Sequence, residues 1–171
     1  MTINKVRSNF LPGYRFPAGL TFMILAFVIL ATGSCSKEGI DDERPVIDMN
    51  QGFPQNCDTV YRGETFLFRA VFTDNFELGA FNLDIHHNFD HHSHSTDLVE
   101  CPLDPVKQAV NPMLFIRQYD IPAGLNFYEA EAEILVPEDI DTGDYHFMVR
   151  LTDKTGWQAM RGISFKIWER E

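Results

Sequence analysis

Hydrophobic residues occupy every second position in five segments of the chain, which is the period of a β-strand with one face in a core. The inward-facing residues are expected within 66–72, 81–85, 128–136, 145–151 and 163–167. Two further strands are expected at 46–49 and 113–119, and no segment has helical periodicity of comparable strength. About seven strands without helices predict an all-β protein, an immunoglobulin-like antiparallel β-sandwich formed by one domain, 45–171.

Two local patterns favour the same fold. The sequence from Asp141 to Tyr145, DTGDY, precedes one of the strands and is typical of a tyrosine corner, in which the hydroxyl ties the E-to-F connection to the start of strand F. The sequence from Leu151 to Trp157, LTDKTGW, resembles the F-to-G hairpin of bacterial Ig-like and cadherin-like domains. Sandwiches of this kind have many unrelated functions, so the fold alone does not identify one.

The first 34 residues have the pattern of a bacterial lipoprotein signal peptide. Lys5, Arg7 and Arg15 form a basic region, and the apolar run 20–31 that follows is shorter than the roughly 20 residues needed to cross a bilayer. The run ends in Thr32-Gly33-Ser34-Cys35, which resembles a lipobox. That resemblance implies lipidation of Cys35 and a membrane anchor; an uncleaved N-terminal anchor is the alternative. The lipidated protein and the uncleaved anchor would both belong to the bacterial cell envelope. Lipidation further predicts an outer-membrane lipoprotein that faces the periplasm or the medium.

The exported part is strongly acidic. After residue 34 it has 11 lysines and arginines against 25 aspartates and glutamates, a net charge of −14. Such a surface repels phosphate backbones and anionic headgroups, which excludes nucleic acid as a partner and favours a cation as a ligand. Residues 35–44 lack apolar periodicity and are predicted to be the lipidated cysteine and a solvated acidic tether.

Two cysteines remain in the predicted domain, Cys57 and Cys101. An even number of cysteines in an oxidising compartment predicts one disulfide bond, which would also hold the chain shortly after the histidine-rich segment. The alternative is that one or both are metal ligands, although neither lies in the C-x-x-C spacing typical of zinc sites.

The strongest chemical signal is a histidine cluster, since five of the six histidines lie within residues 86–94. Neutral imidazole is the commonest side-chain metal ligand. If the alternating hydrophobic residues of 81–85 (Phe81, Leu83 and Ile85) face the core, Asp84 and His86 project outward. An extended chain beyond the strand then keeps Asp90, His92 and His94 on that side. This set predicts a site for a divalent transition metal, with zinc expected and copper or nickel as alternatives.

The sixth histidine, His146, is expected to join this cluster. It begins strand F, the antiparallel neighbour of strand C in an Ig-like sandwich, and its alternation points it outward beside His86. Alternatively, His146 is an ordinary exposed strand residue that does not bind a metal. His87 and His91 are not expected to be ligands. The alternative for the whole cluster is a polar recognition loop without a metal.

No catalytic motif accompanies the cluster. The chain has no H-E-x-x-H, no G-x-S-x-G and no glycine-rich phosphate loop, so we do not expect an enzyme. Two functions stay open from the sequence. The first is a membrane-anchored protein that binds a transition metal for capture, buffering or structure. The second is a non-catalytic Ig-like module that binds an envelope protein or a glycan.

The exported part also resembles an uncharacterised family of Bacteroidota lipoproteins, a domain of unknown function. The resemblance rests on Cys35, on Phe76-Glu77-Leu78, on the string IHHNFDHHSH at 85–94 and on the hairpin at 145–157. It implies an Ig-like fold, an envelope location and an unassigned role for the histidines. It implies no established activity.

Overall fold

The structure, a computed structural model, describes residues 40–97 and 99–171, and the domain presented here is the unit Asp41–Glu171. The predicted signal peptide 1–34, the lipidation site Cys35 and tether residues 36–39 lie outside the described residues. The described residues form eight strands and no helix: β1 (Val46–Phe53), β2 (Thr59–Tyr61), β3 (Thr65–Thr73), β4 (Leu78–His87), β5 (Phe115–Asp120), β6 (Phe127–Leu135), β7 (Gly143–Asp153) and β8 (Gln158–Trp168). None of this part of the chain could therefore cross a membrane as a long apolar helix.

The strands form two sheets, in the orders β1-β3-β6 and β2-β8-β7-β4-β5. The chain changes sheets early, since β1 pairs antiparallel with β3 whereas β2 pairs parallel with β8. This confirms the all-β, immunoglobulin-like sandwich. The structure has eight strands instead of about seven because β2, with only three residues, is too short to produce a recognisable alternation.

Alternation along the strands places one face of each sheet in a shared aromatic core. On β3, Phe68 and Phe72 are fully buried. The Phe68 ring lies 5.4 Å from the Phe147 ring of the opposite sheet, and the Phe72 ring lies 5.2 Å from that of Phe81. Such aromatic pairs contribute about 0.5–1.5 kcal/mol beyond the area they bury. The core therefore fixes which residues of β4 and β7 face outward.

The predicted tyrosine corner is confirmed. The Tyr145 hydroxyl donates a hydrogen bond to the carbonyl oxygen of Asp141 at 2.6 Å and accepts one from the Met113 amide at 3.2 Å. Burial of the side chain raises the pKa of Tyr145 to about 12. These bonds fix the start of β7, and with it the position of His146.

A long connection between β4 and β5 crosses the outer face of the five-stranded sheet. Cys101 in this connection forms a disulfide bond with Cys57, whose Cα lies 5.4 Å away. Nearby, the Lys166 ammonium group of β8 lies 2.8 Å from Asp104 of the connection and 2.7 Å from Asp144 of β7. The connection is thus held against the sheet by a covalent bond and by a partly buried ion-pair network.

Candidate metal centre

Two of the histidines are placed by the five-stranded sheet itself. His86, near the end of β4, lies directly opposite His146, near the start of β7. Their neighbours Ile85, Tyr145 and Phe147 are fully buried in the core, so alternation puts both imidazoles on the outer face. The expectation that His146 lies beside His86 agrees with this register.

Two more histidines come from the connection after β4. The prediction of an extended chain there is wrong, because the chain turns at His91. The Asn88 carbonyl accepts a hydrogen bond from the His91 amide at 3.2 Å, and His91 has a φ of +61°, a left-handed conformation. This turn reverses the chain beyond the strand end. The reversed chain returns His92 and His94 over the sheet, beside His86.

The four imidazole rings surround one point. The six ring-centroid separations among His86, His92, His94 and His146 lie between 5.0 and 5.6 Å. Four points at nearly equal mutual distances define a tetrahedron. For comparison, a tetrahedral zinc ion with Zn–N bonds of about 2.0–2.1 Å would place four imidazole centroids about 5.2 Å apart. The rings therefore have the spacing of a four-histidine metal site.

Three of these histidines approach each other most closely through their ligand atoms. Ring nitrogens of His86, His92 and His94 all lie within 4.8 Å of one another. The ring of His146 lies next to all three but is not part of this closest group. A metal could therefore bind to three imidazoles directly, with His146 as the candidate for the fourth position.

Asp84 and Asp90 were predicted to be metal ligands. Their carboxylates instead contact Nδ1 of His86 and His92, and neither belongs to the group of closely spaced ligand atoms. Asp84 Oδ1 lies 2.6 Å from Nδ1 of His86, and Asp90 Oδ1 contacts Nδ1 of His92 at hydrogen-bond distance. An ionised carboxylate only accepts, so each Nδ1 carries the proton and each Nε2 keeps its lone pair for a metal. Both aspartates precede their histidine by two residues, a spacing that is as compatible with orientation as with ligation.

The hydrogen bond from His92 lowers the pKa of the Asp90 carboxyl. Asp90 therefore stays ionised, as an orienting acceptor must. The Asp90 side chain is 65% exposed and that of His92 31%, so this pair lies at the open side of the site.

His146 is the most deeply buried of the histidines, with 2% of its surface exposed. Its Nε2 lies 2.9 Å from the carbonyl oxygen of His92. A carbonyl only accepts, so Nε2 carries the proton and the lone pair lies on Nδ1, which is buried without a hydrogen-bond partner. Burial, together with the neighbouring imidazoles, lowers the pKa of His146 and keeps it neutral, the form that binds metal.

The sheet also determines where His94 can lie. A Cβ atom added to Gly162 of β8 would be 2.2 Å from the His94 carbonyl oxygen, so only glycine permits this approach. Next to it, the Thr96 amide donates to the Gly162 carbonyl at 2.8 Å, and Asp97 pairs with Arg161 at 2.5 Å. Gly162 was not among the predicted site residues, although a glycine inside a strand pattern signals a close backbone approach.

His87 and His91, which were not expected to be ligands, lie at the edge of the centre. The His87 ring packs 4.9 Å from the Phe89 ring. Nε2 of His91 lies 2.8 Å from the Asp104 carbonyl oxygen. Neither residue belongs to the group with closely spaced ring nitrogens.

A family model described as a domain of unknown function (DUF4625) matches residues 33–168. The chain belongs to this family. A search of curated proteins finds no match. Among solved structures, a Niemann-Pick type C2 protein from the Japanese carpenter ant is similar over 74% of this chain and 90% of its own, with 12% identity and a TM-score of 0.37. A similarity this low carries no inference about a shared ligand.

Proposed function

We propose that this member of the DUF4625 family binds one divalent transition-metal ion through His86, His92 and His94, with His146 in the fourth position. The proposal rests on the hydrogen bonds of the imidazoles, which determine the nitrogen that carries the proton in each ring. Lone pairs are left on Nε2 of His86, on Nε2 of His92 and on the partnerless, buried Nδ1 of His146. A buried lone pair without a partner is unfavourable, and a metal ion would satisfy it.

Zinc is the metal that this donor set fits best. Nitrogen ligands suit zinc, copper and nickel, whereas calcium and magnesium take oxygen. The near-equal ring separations match a tetrahedron, the preferred geometry of zinc, rather than the square-planar arrangement that copper(II) and nickel(II) adopt.

The wider role follows from the sequence. A lipid on Cys35 would hold the domain on a membrane of the bacterial cell envelope, with an acidic surface that attracts cations. We propose metal capture, buffering or structural binding there, without catalysis. A metal-dependent hydrolase would also need a carboxylate that acts as a general base. Asp84 and Asp90 instead accept hydrogen bonds from Nδ1 of His86 and His92.

Calorimetry on the full chain tests the proposal. The protein would be purified in detergent without a polyhistidine tag, stripped with a chelator and titrated with Zn²⁺, Cu²⁺ and Ni²⁺. We expect saturable zinc binding with one ion per chain. Absence of saturable binding of any of the three ions near that stoichiometry contradicts the proposal.

A pair of double variants locates the site. His92→Ala with His94→Ala removes two of the three closest ligands and is expected to abolish stoichiometric binding. The matched control, His87→Ala with His91→Asn, removes two imidazoles from the same segment but keeps at position 91 a residue type that tolerates the left-handed turn, and it is expected to retain binding. Equal loss in both would mean that the segment binds metal without a defined centre.

A further inference from the structure

A second group of possible ligands lies at the opposite end of the sandwich from the histidines. Carboxylate oxygens of Asp41, Asp74 and Asp153 all lie within 4.8 Å of one another. Asp74 directly follows β3 of the three-stranded sheet, and Asp153 is the last residue of β7 in the other sheet. Asp41 comes from the segment before β1. Three separate parts of the chain thus converge on one point.

Asp153 is held rigidly, yet half of its carboxylate has no partner. Its Oδ1 accepts hydrogen bonds from the amides of Thr155, Gly156 and Trp157 at 2.8, 2.7 and 2.9 Å. Its Oδ2 is buried without a hydrogen-bond partner, and only 4% of the residue is exposed. A fixed, buried carboxylate oxygen with no donor is the state that a cation would complete.

Asp74 has the same asymmetry. Its Oδ2 accepts the Phe76 amide at 2.8 Å, whereas its Oδ1 is buried without a partner. The β7–β8 hairpin holds Asp41 close by, because the Thr155 hydroxyl lies 2.8 Å from Asp41 Oδ2 and the Trp157 indole donates to the Asp41 carbonyl at 3.2 Å. Two partnerless oxygens and a third carboxylate are therefore positioned together by local hydrogen bonds.

No basic side chain neutralises this group within the described part of the chain. The ion pairs found at 40–97 and 99–171 involve none of the three aspartates, and the nearby Lys154 pairs with Glu77 at 3.7 Å. The Arg44 guanidinium lies over the Trp157 ring, 5.9 Å from its centroid. Several carboxylates that share a partly buried site without a basic partner repel one another, and a bound cation would relieve that repulsion.

We propose that Asp41, Asp74 and Asp153 form a calcium site. Only oxygen donors converge there, and such sets favour hard cations over the transition metals that imidazole selects. Calcium accepts irregular coordination of 6–8 oxygens at about 2.3–2.6 Å, so water molecules would complete the shell. The ion would join the two sheets and the segment before β1, independently of the histidine centre.

Thermal unfolding of the full chain, purified in detergent and stripped with a chelator, tests the site. Extracellular calcium modules have dissociation constants of about 10⁻⁴–10⁻³ M. At 10 mM Ca²⁺ we therefore expect a rise in Tm of roughly 5–10 °C, and one bound ⁴⁵Ca²⁺ per chain in equilibrium dialysis. Asp74→Asn keeps an acceptor for the Phe76 amide but removes a charge, and is expected to weaken binding at least roughly tenfold.

Matched variants separate the site from general charge effects. Glu133→Gln removes a charge from the exposed face of β6 and is expected to keep the full response to calcium. His92→Ala with His94→Ala is also expected to keep it. If Asp74→Asn does not fold, Asp41→Asn, outside the strands, serves in its place. An unchanged Tm, an equal rise in the Asp74→Asn variant, or an equal rise with Mg²⁺ would overturn the calcium assignment.

Discussion

The carbonyl oxygen of His92 accepts a hydrogen bond from Nε2 of His146 at 2.9 Å. The backbone of one candidate ligand therefore fixes the tautomer of another, which leaves the Nδ1 lone pair of His146 for a metal. Because His92 lies in the long connection and His146 in β7, the proposed metal affinity would depend on the position of the connection. Anything that displaces the connection is expected to weaken metal binding.

Loss of the buried histidine is the first test of this coupling. His146→Gln replaces the ring by a side chain that can still donate to the His92 carbonyl but has no ring nitrogen with a lone pair for a metal. We expect zinc affinity to fall at least roughly tenfold, because a tetrahedral site loses its fourth ligand. Calorimetry on the tagless protein measures this. An affinity equal to that of the parent would restrict the centre to three histidines.

The carboxylates behind the histidines give a second prediction. Asp84→Asn and Asp90→Asn remove the charge that orients Nδ1 of His86 and His92, and each is expected to weaken zinc binding about 10–100-fold. Asp120→Asn, on the edge strand β5, removes the same charge away from the centre and is the control. Complete loss of binding in either variant would instead favour direct ligation by that aspartate.

A substitution at Gly162 tests whether the position of the connection affects zinc binding, because it changes no proposed ligand. In Gly162→Ala the new Cβ would meet the His94 carbonyl oxygen at 2.2 Å and Met148 Sδ at 2.7 Å, so the connection must move. We expect weaker zinc binding together with a lower Tm. Gly124→Ala is the control, because its φ of +83° strains the backbone but nothing lies within 4 Å of the added atom. It should lower the Tm and leave zinc affinity unchanged.

The disulfide bond is expected to stabilise both the fold and the centre. Cys57 and Cys101 are 44 residues apart, and closing a loop of that size contributes about 4 kcal/mol in the chain-entropy model. Replacing both by alanine is expected to lower the free energy of unfolding by a similar amount, as measured by urea denaturation. Zinc affinity should fall as well, since the connection loses its covalent attachment. Unchanged zinc affinity would show that the noncovalent contacts suffice.

Tyr145 gives a prediction about pH. Its pKa is raised to about 12 from 10.0, so its contribution to stability is complete below pH 10 and is lost as the pH rises through 12. A shift of this size corresponds to about 2–3 kcal/mol. Denaturation at pH 9 and 12 is expected to show a smaller alkaline loss for Tyr145→Phe than for the parent. Tyr128→Phe removes the hydroxyl of a partly exposed tyrosine in β6, away from the tyrosine corner, and is the matched control.

Alternation of hydrophobic residues predicted the fold because each long strand buries one face. It could not reveal β2, whose three residues form a strand only through pairing with β8. The histidine centre was predicted in part for the same reason, since register alone places His86 beside His146. The left-handed turn at His91 was not predictable from alternation, because it depends on contacts of the connection with the sheet.

The roles of the aspartates could not be predicted from spacing. A carboxylate two residues before a histidine can reach either a metal or the Nδ1 of that histidine, and only the side-chain geometry separates the two cases. The three aspartates of the proposed calcium site were likewise not recognised, because Asp41, Asp74 and Asp153 are far apart in sequence. Their proximity arises only when the two sheets pack.

X-ray absorption at the zinc K-edge would measure the ligands of the proposed zinc ion. The full chain, without a tag, would be loaded with one equivalent of Zn²⁺ and measured. We predict a four-coordinate ion whose first shell contains three or four imidazole nitrogens at about 2.0–2.1 Å. Failure to retain one equivalent, or a first shell made mainly of carboxylate and water oxygen, would contradict a zinc site formed by the histidines.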